Sequence, residues 1–303
     1  MQQRRFKQVD VFTATPYIGN PLAVVLDGSG LDDVVMQRFA RWTNLSETTF
    51  VLPPTQSTAD YRLRIFTPGG ELPFSGHPTL GSCHAWLEAG GQPKSSKFIV
   101  QECAKGLINV RRDGVGKGLA FAAPSLTRST PSPEVLAQVA SALGILAAHI
   151  TAAQLLDNGP VWLGLLLDSP ETVLQLLPDH NALAKLGIKV GVAGIYTSST
   201  SPLIARANRE AKAFTQTASG FAPDIEVRAF AACTGINEDP VTGSLNASLA
   251  QWLMADGLMP AHYIASQGVC MDRAGQVDLQ RDAEGQVWVG GQSVTCISGT
   301  ALL

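Results

Sequence analysis

The stretch Thr67-Pro-Gly-Gly-Glu71-Leu-Pro73-Phe-Ser75-Gly76-His77 aligns without a gap on Thr234-Gly-Ile-Asn-Glu238-Asp-Pro240-Val-Thr242-Gly243-Ser244. Threonine, glutamate, proline and glycine coincide, and Ser75 stands where the second copy has Thr242. Self-similarity of this kind marks duplicated structural units. Each copy reads as a Gly/Pro-rich loop, a hydroxyl residue, and a glycine that opens an amphipathic helix. Leu80, Trp86 and Leu87 line the first helix; Leu245, Leu249, Trp252 and Leu253 line the second. The first backbone N–H groups of a helix have no intrahelical partner, and the helix dipole adds partial positive charge, so each end suits a carboxylate or a developing enolate. Glycine lets a ligand approach the backbone closely. If a pseudo-twofold axis relates the copies, both ends face one cleft and form one pocket. The plainer alternative is that Ser75 and Thr242 are ordinary helix caps.

Around these loops the chain alternates short strands and helices. Strands are expected at Phe6–Thr13, Asn20–Leu26, Glu47–Leu52 and Tyr61–Phe66, with a helix spaced by Leu31, Val34, Val35, Phe39 and Trp42. A helix over Gly76–Leu87 is followed by strands at Lys97–Gln101, Leu107–Arg111 and Leu119–Ala122. The Ser/Thr/Pro-rich segment from Ala123 to Pro133 reads as a linker. Beyond it come helices near Glu134–Leu143, Glu171–Leu177 and Gly243–Ala255, and strands near Val161–Leu167, Val190–Thr197, Ile225–Phe230 and Val287–Val289. The pattern lacks the strict alternation of a doubly wound parallel sheet. It predicts an α+β fold of two pseudo-symmetric domains, residues 1–124 and 125–303, the last few residues being free to return to the first.

At 303 residues the chain can bury a sizeable core without staples. Its net charge of −3 argues against a nucleic-acid-binding surface, and 45% hydrophobic residues exclude a disordered chain. The five cysteines, Cys83, Cys103, Cys233, Cys270 and Cys296, are widely spaced without a Cys-x-x-Cys pair, which signals neither a disulfide framework nor a zinc knuckle. The segment MQQRRFKQVDVF has no apolar run of the secretory type, so a cytoplasmic location is expected. Val135–Leu156 carries no formal charge, yet Gln138, Ser141, His149, Thr151 and Gln154 interrupt it and Gly144 divides it. It reads as a soluble helix and a strand, not as a membrane span.

His77 opens the first helix and Ser244 holds the matching position in the second, with Asp239 five residues before Ser244. An imidazole at a helix N-terminus tends to stay neutral and can share a hydrogen bond with substrate, while a carboxylate can accept one. Structural histidine and turn aspartate are the alternatives. Glu47, between a helix and a strand, has the weakest pattern and gains interest only if a cleft needs a proton shuttle. His84 follows His77 without a third ligand at suitable spacing, so no metal is expected. Asp113-Gly-Val-Gly-Lys-Gly118 reads as a hairpin turn, and no Gly-x-Ser-x-Gly elbow is present.

Phe12, Gly19-Asn20-Pro21, Asn44-Leu-Ser-Glu47-Thr, Phe66-Thr-Pro68, Pro73-Phe-Ser-Gly-His77-Pro-Thr-Leu-Gly81, Gly235-Ile-Asn-Glu-Asp239-Pro-Val-Thr-Gly-Ser244 and Gln267-Gly268 together resemble the phenazine-biosynthesis isomerase family, the PhzF-like proteins, end to end. That family is similar in fold to diaminopimelate epimerase. The resemblance implies two domains, each a mixed sheet around a long helix, an active site in the cleft, and a homodimer. It implies a small carboxylic-acid substrate, no cofactor, and Glu47 as the group that removes a proton and returns it to another carbon, as in isomerisation of dihydro-hydroxyanthranilate. His77, Asp239 and Ser244 fall on substrate-contacting positions, Gly76 and Gly243 on carboxylate-binding backbone, with Asn20, Ser75 and Thr242 beside them. The cysteine acid and base of diaminopimelate epimerase fall on Ser75 and Thr242, which disfavours two-base racemisation. A catalytically silent small-acid-binding protein is the different-class alternative. Pro78 and the extended Ser198–Gly220 segment depart from the relatives.

Overall fold

The computed structural model describes residues 1–112, 118–196 and 222–303. The turn read at 113–118 and the segment read at 198–220 lie outside the described residues, apart from Gly118. The chain divides into two compact units, Met1–Ala122 with Trp288–Leu303, and Ala123–Val287.

The first unit runs β1 (Gln3–Val11), β2 (Asn20–Val25), α1 (Asp33–Thr43), β3 (Glu47–Leu52), β4 (Tyr61–Phe66), β5 (Glu71–Leu72), α2 (Gly76–Glu88), β6 (Ile99–Cys103), β7 (Gly106–Arg111) and β8 (Leu119–Ala122). The second contains β9 (Thr127–Ser129), α3 (Pro133–Leu143), β10 (Ile150–Asp157), β11 (Val161–Leu167), α4 (Pro170–Gln175), α5 (His180–Leu186), β12 (Lys189–Ile195), β13 (Ile225–Ala231), β14 (Ile236–Asp239), α6 (Gly243–Ala255), β15 (His262–Gln267) and β16 (Gly275–Arg281). The chain then passes through β17 (Val287–Gly291) and β18 (Ser293–Leu302). Residues 288–303 cluster with the first unit because β17 pairs with β8 and β18 with β1. The sequence reading had allowed only the last few residues to do so.

The strands of each unit repeat one ladder. In the first unit β1–β2 is antiparallel, β2–β3 parallel, β3–β4 antiparallel, β4–β6 parallel and β6–β7 antiparallel. In the second, β10–β11, β11–β12, β12–β13, β13–β15 and β15–β16 follow the same order of directions. A parallel step needs a long crossover, and helices fill it at the same points. Thus α1 links β2 to β3 and α2 lies between β4 and β6, while α4 with α5 links β11 to β12 and α6 lies between β13 and β15. A short strand, β5 or β14, folds back on the strand before the second crossover in each unit. The duplication read from eleven aligned residues therefore extends over the topology of both units, and the fold is mixed α+β.

Local signals explain the boundaries. Asp32 caps α1 by accepting from the Val35 N–H, and Asn44 ends it in the left-handed region. Ser132 caps α3, Pro133 occupies its first turn and Gly144 closes it at φ 71°. The uncharged stretch after residue 135 is thus a short helix that stops at Gly144 and a strand that starts at Ile150. Among the described residues no helix is long and apolar enough to cross a membrane. Within α1, Met36 and Ala40 are buried whereas Val34 and Trp42 are exposed, Trp42 stacking on Phe39.

Helix α2 packs on β1, β2, β3 and β8, and nearly all of its first two turns are buried, including the polar Thr79 and Ser82. Ser82 meets Thr49 of β3 hydroxyl to hydroxyl at 2.8 Å. Helix α6 packs likewise on β10, β11 and β16. Burying a helix on several sides lets the sheet fix its first turn. Cys83 lies at the centre of this packing, fully buried, and burial pushes its thiol up to about 12. Native protein at pH 8 is therefore expected to leave Cys83 unlabelled by Ellman's reagent, with the missing thiol counted only after denaturation. Labelling at Cys83 in the native state, located by peptide mapping, would contradict this packing.

Candidate active site

Glu47 is the first residue of β3 and lies 12% exposed. The Ser75 hydroxyl donates to its Oε1 at 3.2 Å, and His77 Nδ1 stands 3.6 Å from its Oε2, with the imidazole only 3% exposed. Parallel pairing of β2 and β3, which sets Leu22 opposite Glu47, also brings Asn20 near the start of that strand. The fully buried Asn20 accepts from the hydroxyl of Ser46 at 3.3 Å. The turn before Asn20 is held by Asp10, whose carboxylate accepts from the Gly19 N–H at 2.9 Å. Any side chain at 19 would strike the Val11 carbonyl, since a Cβ there falls 2.3 Å from that oxygen. The structure thus brings Glu47, Ser75 and His77 together in the first unit and sets Asn20 beside the strand that carries the glutamate.

Asp239, Thr242, Gly243 and Ser244 gather in the second unit. The Thr242 hydroxyl donates to Asp239 Oδ2 at 2.6 Å. Ser244 is held from behind: Trp162 Nε1 donates to its hydroxyl at 3.2 Å and Asn158 Nδ2 to its carbonyl at 3.0 Å. Neither N-cap side chain, Ser75 or Thr242, bonds to its own first turn. Both hydroxyls turn to a carboxylate instead, Glu47 in one unit and Asp239 in the other, so the ordinary capping geometry is not what the two loops adopt. The first-turn N–H groups are therefore not supplied by the cap side chain, which is the arrangement an anion-binding helix end requires.

Three further pairs, which the sequence reading missed, repeat between the units. In the fourth residue of each helix a side chain returns to the cap carbonyl: Thr79 Oγ1 to Ser75 O and Asn246 Nδ2 to Thr242 O, both at 2.9 Å. A fully buried glutamine then engages that residue, Gln101 donating to Thr79 at 3.0 Å and Gln267 accepting from Asn246 at 2.8 Å. Third, an arginine two residues before a phenylalanine, Arg64 with Phe66 and Arg228 with Phe230, holds the aligned glutamate by two parallel bonds. Those bonds measure 2.7 and 2.6 Å to Glu71 and 2.8 Å each to Glu238. The glutamates of the aligned motif are thus structural anchors of the loop.

Gln267 is the more fully used of the two glutamines. It also accepts from the Thr242 N–H at 3.0 Å, and it donates to the Asp239 carbonyl and to the Thr242 hydroxyl, each at 3.0 Å. Gly268 beside it adopts φ 98°, and a Cβ there would fall 2.7 Å from the Pro240 carbonyl, so only glycine lets the loop lie this close. Gln267→Ala leaves a buried N–H and a buried amide without their acceptor. It is expected to cost about 1–3 kcal/mol in denaturant unfolding and to speed hydrogen exchange at the Thr242 amide. Gln92→Ala on the surface, where the side chain reaches only a nearby carbonyl, is the matched control and is expected to change neither. One signal in the sequence pointed toward this set: Thr79 and Asn246 hold the same place after Gly76 and Gly243, as polar residues inside apolar helices.

A family model described as "Phenazine biosynthesis-like protein" matches residues 9–299. Antisense-enhancing sequence 1 of Schizosaccharomyces pombe is 35% identical over all of both chains. A trans-2,3-dihydro-3-hydroxyanthranilate isomerase of Pseudomonas fluorescens is 30% identical over 97% of this chain and 98% of its own. In structure, a phenazine biosynthesis protein of the PhzF family from Bacillus anthracis superposes over the full length of both chains, with a TM-score of 0.81 at 20% identity, and shares the fold.

Proposed function

The chain belongs to the phenazine biosynthesis-like protein family and is an isomerase, and from that premise we propose that it shifts a proton on a small cyclic or unsaturated carboxylic acid, without a cofactor, using Glu47 as the moving base. The observation that carries the proposal is the position of Glu47. Its carboxylate is nearly buried, accepts from the Ser75 hydroxyl and lies against His77 at the opening of α2. A carboxylate largely removed from bulk water can take a proton from one carbon and return one to another.

In the proposed reaction Glu47 takes a proton from one carbon of the substrate. The electron pair left behind spreads into the conjugated acid, and Glu47 gives a proton to another carbon, part of it drawn from solvent because the carboxylate keeps 12% of its surface exposed. Substrate and product have the same composition, so no oxidant, reductant or leaving group is needed. Negative charge grows on the substrate carboxyl as the proton leaves. The first-turn N–H groups at Gly76 and His77 are proposed to stabilise that charge more in the transition state than in the ground state, and Gly243 and Ser244 to offer an equivalent anion-binding helix end in the second unit. Asn20 and Ser75 are proposed to orient the ring, and Asp239 and Thr242 to hold polar groups at the helix end of the second unit. As in the sequence reading, the enzyme is proposed to act as a cytoplasmic homodimer.

The test is incorporation of solvent deuterium into a panel of small unsaturated acids, trans-2,3-dihydro-3-hydroxyanthranilate among them, followed by NMR and mass spectrometry in wild type and Glu47→Gln. Exchange that depends on Glu47 supports the reading. Exchange undiminished in the variant removes Glu47 from the chemistry, and an acid that binds without exchanging makes the protein a binding module.

A further inference from the structure

Helix α1 carries on its outer face a pattern that a surface helix normally avoids. Val34, Arg38, Arg41 and Trp42 share that face, and all four are exposed, Val34 to 63% and Trp42 to 80%. A carboxylate four residues from an arginine is the ordinary way to neutralise it on such a face. Around Arg38 those two places are held by Val34 and Trp42, and the residue one turn on is a second cation, Arg41. Arg38 makes no hydrogen bond or ion pair among the described residues. Arg41 spends only its Nε, on the Pro68 carbonyl at 3.0 Å. Beside this face lies a groove of about 560 Å³, lined by Val34, Gln37, Arg38 and Arg41 of α1 and by Phe66 at the end of β4. Two carboxylates also reach it, Asp33 and Glu71, but Arg64 holds both, at 2.7 Å and at 2.7 and 2.6 Å. The groove is left with two cations and no free counter-charge.

We propose that this groove is a binding site for a small organic dicarboxylate whose apolar skeleton separates its two charges. Arg38 takes one carboxylate and the terminal N–H groups of Arg41 take the other, since a guanidinium presents parallel donors that match a carboxylate. Residues three apart on a helix have their Cβ atoms about 5–6 Å apart, and two arginines splay from there to the ends of a skeleton the size of a benzene ring. Val34 and Phe66 give that skeleton an apolar wall. The volume is that of a small-molecule site. Occupancy is also felt in the loop that leads to Ser75. Gln37 Nε2 donates to the carbonyls of Thr67 and Pro68 at 2.8 and 3.3 Å, and Arg41 to that of Pro68, so two residues that line the groove also hold the start of that loop. A diacid on the terminal nitrogens of Arg41 leaves its Nε on Pro68 and fixes the side chain that carries it. The site uses no group of the chemistry proposed for Glu47.

Equilibrium dialysis of the full chain against isophthalate at low ionic strength, up to millimolar concentration, tests the site, with isophthalamide as the uncharged reference. Wild type is expected to retain isophthalate and not isophthalamide. Arg38→Gln is expected to weaken retention at least tenfold with unchanged circular dichroism, because Arg38 holds no other part of the fold. Lys185→Gln, on the exposed surface of α5, is expected to leave retention unchanged. Should Arg38→Gln fail to fold, Val34→Glu decides: it places a carboxylate four residues before Arg38, a pairing that favours the helix, and is expected to cause the same loss by occupying the guanidinium. Exchange of the Gly69 and Gly70 amides, which rest on the Thr67 hydroxyl, is expected to slow when isophthalate is added to wild type and not when it is added to Arg38→Gln. No retention by wild type, or retention that the variants at 38 and 34 leave unchanged, overturns the proposal. Retention without slower exchange overturns the link to the loop.

Discussion

Glu47→Gln is expected to lower the rate of solvent-deuterium incorporation by about 10²–10⁴-fold while leaving the fold intact. The substitution conserves volume. The amide oxygen still accepts from the Ser75 hydroxyl, which lies 3.2 Å from Glu47 Oε1 in the native protein. What it removes is the ability to take a proton from carbon and give it back. A purely structural glutamate would show the opposite pattern, with a lowered unfolding midpoint and little change in exchange rate among folded molecules. Ser75→Ala is the companion variant. It removes one donor to Glu47 and leaves the base in place, so its loss of rate is expected to be much smaller than that of Glu47→Gln. Equal losses in the two variants would mean that the hydroxyl and the carboxylate act as one unit, so that Glu47 alone does not account for the proton transfer.

Glu238→Ala is expected to destabilise the protein by about 3–5 kcal/mol, the cost of leaving a buried cation without its counter-charge. Arg228 is 5% and Glu238 11% exposed. The guanidinium spends its remaining N–H on the carbonyls of Val173 and Leu176, at 3.1 and 2.9 Å. No water-exposed route is left for the charge. Burial alone would lower the pKa of Arg228, but the bonds to Glu238 outweigh it and hold the group above its ordinary value, so it stays charged at any accessible pH. The equivalent Glu71→Ala in the first unit is expected to cost no more than about 1 kcal/mol. Arg64 there retains Asp33 at 2.7 Å, and Glu71 is 37% exposed. Urea unfolding of both variants measures the contrast. Similar losses at the two positions would show that the buried and exposed pairs contribute alike, against the argument from burial.

Helices and strands with strong local signals were legible in the sequence. Glu47–Leu52, Tyr61–Phe66, Val161–Leu167 and Gly243–Ala255 have in the structure the limits their residue patterns give. β18 was not legible, because Ser293, Ser298, Gly299 and Ala301 dilute the strand signal of its Val, Ile and Thr residues and the strand is held by its ladder to β1 at the far end of the chain. The spacing of Val34 and Trp42 pointed to helix α1, but not to their exposure, because periodicity locates an apolar stripe and not what covers it.

The candidate site divides in the same way. Ser75, Gly76, His77, Asp239, Thr242, Gly243 and Ser244 were found because they sit in one short motif that the chain contains twice without a gap. Glu47 came from the family resemblance, since a lone glutamate at a strand start has no distinguishing pattern. The bracket behind the motif escaped because its spacing changes between copies. Arg64 precedes its glutamate by seven residues and Arg228 by ten, and the glutamines follow Thr79 and Asn246 by 22 and 21. An ungapped comparison loses register at each such change.

By itself the sequence determined the duplication, the mixed α+β class and the two loops whose glycines open a helix, because those depend on residues adjacent along the chain. Only the tertiary structure decided that the cap hydroxyls turn to Glu47 and Asp239, that Gln101 and Gln267 hold the cap from behind, and that of the two twin arginines Arg228 is buried while Arg64 is partly exposed. Those contacts join strands and loops far apart in the chain, and their strength depends on exclusion of water, a property of packing that no single stretch of residues carries.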